Sequence, residues 1–217
     1  YNEENVINKF LHILCNNIGT LPYLFNIILV NDGSTDNTLH IIENYKIKYD
    51  NISIEKLNLK YNVGHQREIF QGLHYASNSY ADFYIVMDAD GEDDPKAIKD
   101  FCRFNKYDIV YVTRNKRNEN LIFKFFYYTY KFIFFIITGK NLNFGNYSMI
   151  NIKILNRIVR TPFLHYSTCL SRLSRNIGYL KYNRLPRLDG SSKMNFSKLL
   201  LHGLCSLSEY SAKLTLF

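Results

Sequence analysis

Tryptophan is absent from the 217 residues, proline occurs four times and glycine ten times. So little Pro and Gly excludes collagen-like and low-complexity designs. The four cysteines (Cys15, Cys102, Cys169, Cys205) stand far apart, with no CxxC pair. That spacing excludes a zinc ribbon or a small disulfide scaffold and fits a reducing compartment. No GxxxxGK[ST] and no GxGxxG occurs, which argues against a P-loop or a dehydrogenase. No Ser-His-Asp or Cys-His ordering is readable either. No signal peptide opens the chain, which starts at Tyr1 without Met and reads as a fragment.

Acids are also scarce, but only in one half. Residues 1–120 hold 13 Lys and Arg against 17 Asp and Glu, a net of −4. Residues 121–217 hold 14 against 2, Asp189 and Glu209, a net of +12. The overall +8 therefore hides two surfaces with different partners. The basic half is expected to face an anion: a phosphate, a nucleic acid or an anionic membrane.

What is present suffices for a core: 47% hydrophobic residues, with 18 Tyr and 16 Phe. The length fits one domain, or one domain with a small appendage. Two apolar runs end in acids: Ile27-Ile28-Leu29-Val30 before Asn31-Asp32-Gly33-Ser34, and Phe83-Tyr84-Ile85-Val86-Met87 before Asp88-Ala89-Asp90. Short β-branched runs of this type read as buried strands. Helical patterns cover roughly 3–18, 36–49, 65–79 and 95–105, with further strands near 52–58 and 107–112. This alternation predicts a doubly wound α/β sheet, in which ligands bind at the carboxyl ends of strands. Because the chain opens on a helical pattern, an N-terminal strand is expected to precede it.

The segment Asp88-Ala89-Asp90-Gly91-Glu92-Asp93-Asp94-Pro95 carries five acids in seven positions. Such crowding calls for a cation or for solvent. Hard oxygen ligands suit Mg²⁺ or Mn²⁺ with a diphosphate. Asp93 and Asp94 are accounted for by capping the helix that Pro95 begins, but Asp88 and Asp90 lie directly at a strand end. In Asn31-Asp32-Gly33-Ser34-Thr35-Asp36, a βα turn with a helix cap explains the last three residues. Asp32 is left over as an acceptor for a base or ribose. In Tyr61-Asn62-Val63-Gly64-His65-Gln66-Arg67, Gly64 lets the backbone approach a ligand and Arg67 suits a phosphate. Arg114-Asn115-Lys116-Arg117, together with Arg184, Arg187 and a Gly/Ser loop at 189–193, supplies positive charge.

Residues 121–138 are the most apolar stretch, and about 18 residues is marginal for a membrane span. Lys124, Tyr127, Tyr128 and Lys131 share one stripe, which favours a helix lying in the membrane interface over an aromatic core helix.

With these segments in order, the chain resembles glycosyltransferase family 2, and within it the dolichyl- and polyprenyl-phosphate sugar transferases. Tyr1-Asn2-Glu3-Glu4-Asn5 is similar to the family's opening motif, Asp88-Ala89-Asp90 to its DxD motif, and Arg187–Phe196 to its acceptor-loop segment. The resemblance implies a GT-A-type (Rossmann-like) doubly wound mixed sheet with a basic amphipathic-helix C-terminal part. It divides the chain into a nucleotide-sugar-binding part, 1–118, and an acceptor and membrane-interface part, 119–217. Tyr1, Glu3, Asp32, Asn62, Gly64, Arg67 and Asp88 would bind the nucleoside-diphosphate sugar. Asp88, Asp90 and Glu92 would hold Mg²⁺ or Mn²⁺. Arg114, Arg117, Arg187 and Lys193 would hold a polyprenyl phosphate, to which a hexose is transferred with inversion.

The implied location is the cytoplasmic face of a membrane, peripheral unless the full chain carries further transmembrane helices. A homo-oligomer is compatible with the sequence. A saccharide hydroxyl acceptor would instead need a carboxylate base, for which Asp93 or Asp94 would serve. A nucleic-acid-binding module would leave the strand-end acids unexplained, so no nucleic-acid partner is expected.

Overall fold

The computed structural model describes residues 1–114, 121–139, 145–189 and 196–211. Helix α1 (Ile7–Ile18) places Ile7, Phe10, Leu11, Leu14, Cys15 and Ile18 on one buried face, at the three-to-four-residue spacing of an amphipathic helix. It packs over strand β1 (Phe25–Asn31). The chain then runs through α2 (Thr38–Asn44) into β2 (Ile52–Asn58), which pairs parallel with β1 from Phe25↔Ile52 to Asn31↔Asn58. Helix α2 ends earlier than its pattern predicts, because Tyr45 is already extended.

Helix α3 (His65–Ala76) follows a left-handed Gly64 and leads to β3 (Phe83–Val86). After α4 (Ala97–Phe101) come β4 (Ile109–Arg114), α5 (Leu121–Thr138) and β5 (Ser148–Asn151). Helices α6 (Ile152–Ile158) and α7 (Tyr166–Leu173), β6 (Ile177–Tyr182) and α8 (Phe196–Ser211) complete the order. Beside the β1–β2 pair stands a four-stranded sheet ordered β3-β5-β4-β6. In it β5 runs antiparallel to both neighbours and β4 is parallel to β6, so the α/β fold is mixed. Strands from before and after residue 118 thus share one sheet.

Two apolar clusters hold this arrangement. One joins α1 to β1, α4, Val110 and Met149; the other joins α3 to Tyr84, Ile109, Tyr111, Ile150 and helices α6 and α7. Helix α8 is anchored by a buried polar set. Glu209 accepts the amides of Leu164 and His165 and pairs with Arg172 at 3.2 Å, while Thr168 and Ser206 hydroxyls meet at 2.7 Å. One of the two acids in the basic half is therefore structural, since buried backbone N–H groups require an acceptor.

Helix α5 lies against α8, with Phe134 buried beside Tyr210 and the Tyr130 hydroxyl donating to the Gly203 carbonyl. Phe132, Ile133, Phe135, Ile136 and Ile137 of α5, with Leu201 and Leu204 of α8, stay exposed. The predicted stripe residues Lys124, Tyr127 and Tyr128 have side chains outside the described set. Among the described residues, no helix is long and apolar enough to cross a membrane.

Candidate active site

The site forms where β1 and β3 end. Beyond Asn31, the Asp32 carboxylate is only 1% exposed and faces the loop that enters α3. Its Oδ1 accepts the Val63 amide at 2.7 Å and its Oδ2 accepts the Gly64 amide at 3.0 Å. Gly33 turns at φ +64°, and a Cβ there would lie 2.5 Å from the Tyr61 carbonyl carbon, so only glycine fits between the two loops. Asn31 Nδ2 donates to Asn58 Oδ1 at 2.6 Å, closing the same junction. Asp32 thus spends both oxygens on backbone groups and fixes the approach to α3.

The opening residues are bound onto the same turn. The Asn2 amide donates to Ser34 Oγ at 2.9 Å, Thr35 donates back to Asn2 Oδ1 at 2.9 Å, and the Glu3 amide donates to Thr38 Oγ1 at 2.8 Å. Asp36 accepts the amides of Thr38 and Glu4. Ser34, Thr35 and Asp36 therefore do the local capping and clamping expected of a βα turn, and the clamp directs Glu3 toward the second strand end.

There the acidic loop folds on itself. Asp93 Oδ2 accepts the Asp88 amide at 2.9 Å, Asp90 Oδ1 accepts the Glu92 amide at 2.9 Å, and Asp94 Oδ1 accepts the Lys96 amide at 3.0 Å. Gly91, at φ +82°, lies under Leu188, where a Cβ would come within 2.3 Å of Leu188 Cγ. The segment 184–188 runs across this loop as a strap. Leu185 and Leu188 donate their amides to the carbonyls of Glu92 (2.9 Å) and Asp90 (3.3 Å). Arg184 pairs with Glu92, and Arg187 Nη2 stands 3.1 Å from Glu3 Oε1 and 3.6 Å from Asp90 Oδ2. Glu3 and Asp90, 87 positions apart in sequence, thus share one guanidinium.

On the other side of the loop stands His65, which the motif reading passed over in favour of Asn62, Gly64 and Arg67. Its Nδ1 lies 2.8 Å from Glu68 Oε1, and its Nε2 lies 2.8 Å from the Asn146 amide nitrogen and 3.7 Å from Asp88 Oδ1. Partial burial works against a charged ring, but the Glu68 hydrogen bond and the charges of Asp88, Glu68 and Asp90 outweigh it, raising its pKa to about 9. Burial pushes the Asp88 carboxyl above its usual range, His65 opposes this, and Asp90 adds to the upward push. A histidine opening a helix 23 residues before the acidic loop carries no spacing signature, which is why sequence alone does not single it out.

The structure brings Glu3, Asp88, Asp90, Glu92 and Arg187 together, with Asp32 one loop away through residues 63–65. Tyr1, Asn62 and Arg67 are exposed, and Gly64 takes φ +88°. Arg114 ends β4, its side chain outside the described set; Arg117 and Lys193 lie outside the described residues. Among the described residues, no three His, Cys, Asp or Glu side chains converge on a metal position. Asp88 and Asp90 remain a two-carboxylate set of the type Mg²⁺ uses alongside a diphosphate, whereas Glu92 is committed to Arg184.

Residues 1–177 match the family described as Glycosyl transferase family 2. The chain is 30% identical over 224 residues to the uncharacterized glycosyltransferase sll0501 of Synechocystis sp., covering 97% of this chain and 67% of that protein. It is 28% identical over 220 residues to the bactoprenol glucosyl transferase of Shigella phage SfV, covering 97% and 70%. The chain spans about two-thirds of the length of the curated relatives it matches. A crystal structure of a homologue of Mycobacterium tuberculosis rv0371c, from Mycobacterium sp. strain JC1, superposes with a TM-score of 0.51 at 10% identity, over 92% of this chain and 83% of that one. That likeness concerns the fold.

Proposed function

The chain belongs to glycosyltransferase family 2, and from that premise we propose that it moves a hexose from a nucleoside-diphosphate sugar to a polyprenyl phosphate at a membrane surface. One observation carries the reading: Asp88 and Asp90 stand at a strand end, and Glu3 and the Asp32-supported loop lead up to them. Asp88 and Asp90 would hold Mg²⁺ or Mn²⁺ with the diphosphate, and the ion would offset the charge that develops on the leaving group. The exposed residues Tyr1, Asn62 and Arg67 suit the nucleoside. Arg187, lying against Asp90, is placed to meet an acceptor anion, and guanidinium is suited to bidentate phosphate contact.

Support for a phosphate acceptor comes from where the remaining acids point. Asp93 is turned back onto the Asp88 amide and Asp94 onto the Lys96 amide, so the two carboxylates that a hydroxyl acceptor would need as a base are engaged. A phosphate acceptor is already anionic near neutral pH and needs no base. The net +12 of residues 121–217 and the apolar faces of α5 and α8 suit an anionic lipid surface. Support for a polyprenol also comes from the Shigella phage relative's name.

The test is a transfer assay with UDP- and GDP-hexoses and Mn²⁺, offering a polyprenyl phosphate or an oligosaccharide as acceptor. Product on the lipid phosphate alone is expected. Product on the oligosaccharide alone would overturn the acceptor assignment.

A further inference from the structure

We infer that His65 is a positioning residue that fixes the orientation of Asp88; the inference rests on the reading of Asp88 as a donor-site carboxylate. The argument starts from the β3–β5 ladder. Its last pair is Val86↔Ser148, and the same register carried two residues further would set Asp88 opposite Asn146. No strand hydrogen bond holds that pair, because the ladder has ended. The His65 ring stands there instead, with Nε2 2.8 Å from the Asn146 amide nitrogen and 3.7 Å from Asp88 Oδ1.

The ring is itself held from two directions. Behind it, Nδ1 meets Glu68 Oε1 at 2.8 Å, one helical turn on. Beneath it, buried Asp32 holds the amides of Val63 and Gly64, which fixes where α3 begins. A row Glu68–His65–Asp88 therefore spans the open end of the ladder, with Asn146, two residues before β5, packed against the ring. The ring stands against one oxygen of Asp88 at ion-pair distance and narrows the orientations of its carboxylate, sparing the ligand complex part of the cost of ordering it.

The test compares His65→Ala, His65→Gln and the unsubstituted protein. The readouts are calorimetric binding of UDP and GDP with Mn²⁺ and steady-state transfer. His65→Ala is expected to weaken Mn²⁺-dependent nucleotide binding about tenfold and to lower kcat/KM for the donor by a similar factor. KM for the lipid acceptor should stay unchanged. His65→Gln, which keeps a side-chain donor toward Asp88, should restore most of the loss.

Equal binding and transfer by His65→Ala, or equal damage from both variants, would overturn the inference. In the metal-free protein, nuclear Overhauser contacts between the His65 ring and the Asn146 amide protons are expected. Their absence would overturn it whether or not sugar is transferred. If the contacts are present but the unsubstituted protein binds neither nucleotide with Mn²⁺, the transferase reading falls, and the inference with it.

Discussion

Asp32 and Asp88 are the same residue type at the ends of strands β1 and β3, and their surroundings treat them differently. Asp32 is sealed from water, and both its oxygens accept backbone amides across a 31-residue separation. Asp88 keeps a third of its side chain exposed, and its nearest counter-charge is an imidazole 3.7 Å away. A carboxylate with an amide on each oxygen is tied into the backbone of two loops. One faced by a single imidazole at ion-pair distance still has oxygen to offer a ligand. The position at a strand end brings both acids to the site; the hydrogen-bond inventory distinguishes them.

The largest effect expected from breaking this contrast is catalytic. Asp90→Ala should lower transfer by about 10²–10³-fold, the scale seen when one electrostatic stabiliser of developing charge is removed, while circular dichroism and Tm stay near those of the unsubstituted protein. Retained activity would remove the acidic loop from the mechanism. Next in size is a structural loss on the other strand. Asp32→Asn turns an N–H donor toward one of two amides, leaving it unpaired in a sealed pocket at a cost of about 2–3 kcal/mol. For a chain of this length that is about 5–10 °C in Tm, measurable by calorimetry. If Asp32→Asn instead melts like the unsubstituted protein but fails to bind nucleotide, the two aspartates have changed places in this account.

How far the sequence discloses this difference depends on what carries each feature. The β1, β2 and β3 strands were legible because apolar β-branched runs bounded by turn residues have few alternatives, and the acid cluster was legible because like charges do not crowd without cause. The clamp of Asn2, Glu3 and Glu4 onto Ser34–Thr38 was not, since hydrogen bonds between segments 30 residues apart leave no periodicity. The strap was half visible: Arg184 and Arg187 read as cations for an acceptor, but their pairing with Glu92, Glu3 and Asp90 depends on a loop crossing that only the fold determines. Strands β5 and β6 passed unread because short runs such as Ser148–Asn151 are indistinguishable from helix or loop without their partners.

The smallest effect sharpens the comparison through pH. Asp32 is held by amides, which do not titrate in the accessible range, whereas Asp88 is answered by a ring that does. The folded-state pKa of His65, about 9, lies above the roughly 6.5 of a free imidazole. Its pairing therefore contributes stability that is fully present below about pH 6.5 and is lost as pH rises through about 9. The ring is 43% exposed and water screens the pair, so the contribution is expected to stay below about 1 kcal/mol. In the metal-free protein, stability measured by urea unfolding should decline slightly from pH 6.5 to 9.5, and His65→Gln should flatten that decline. An identical slope in both proteins would mean that another group titrates there, and that the Asp88 end is no more pH-responsive than the Asp32 end.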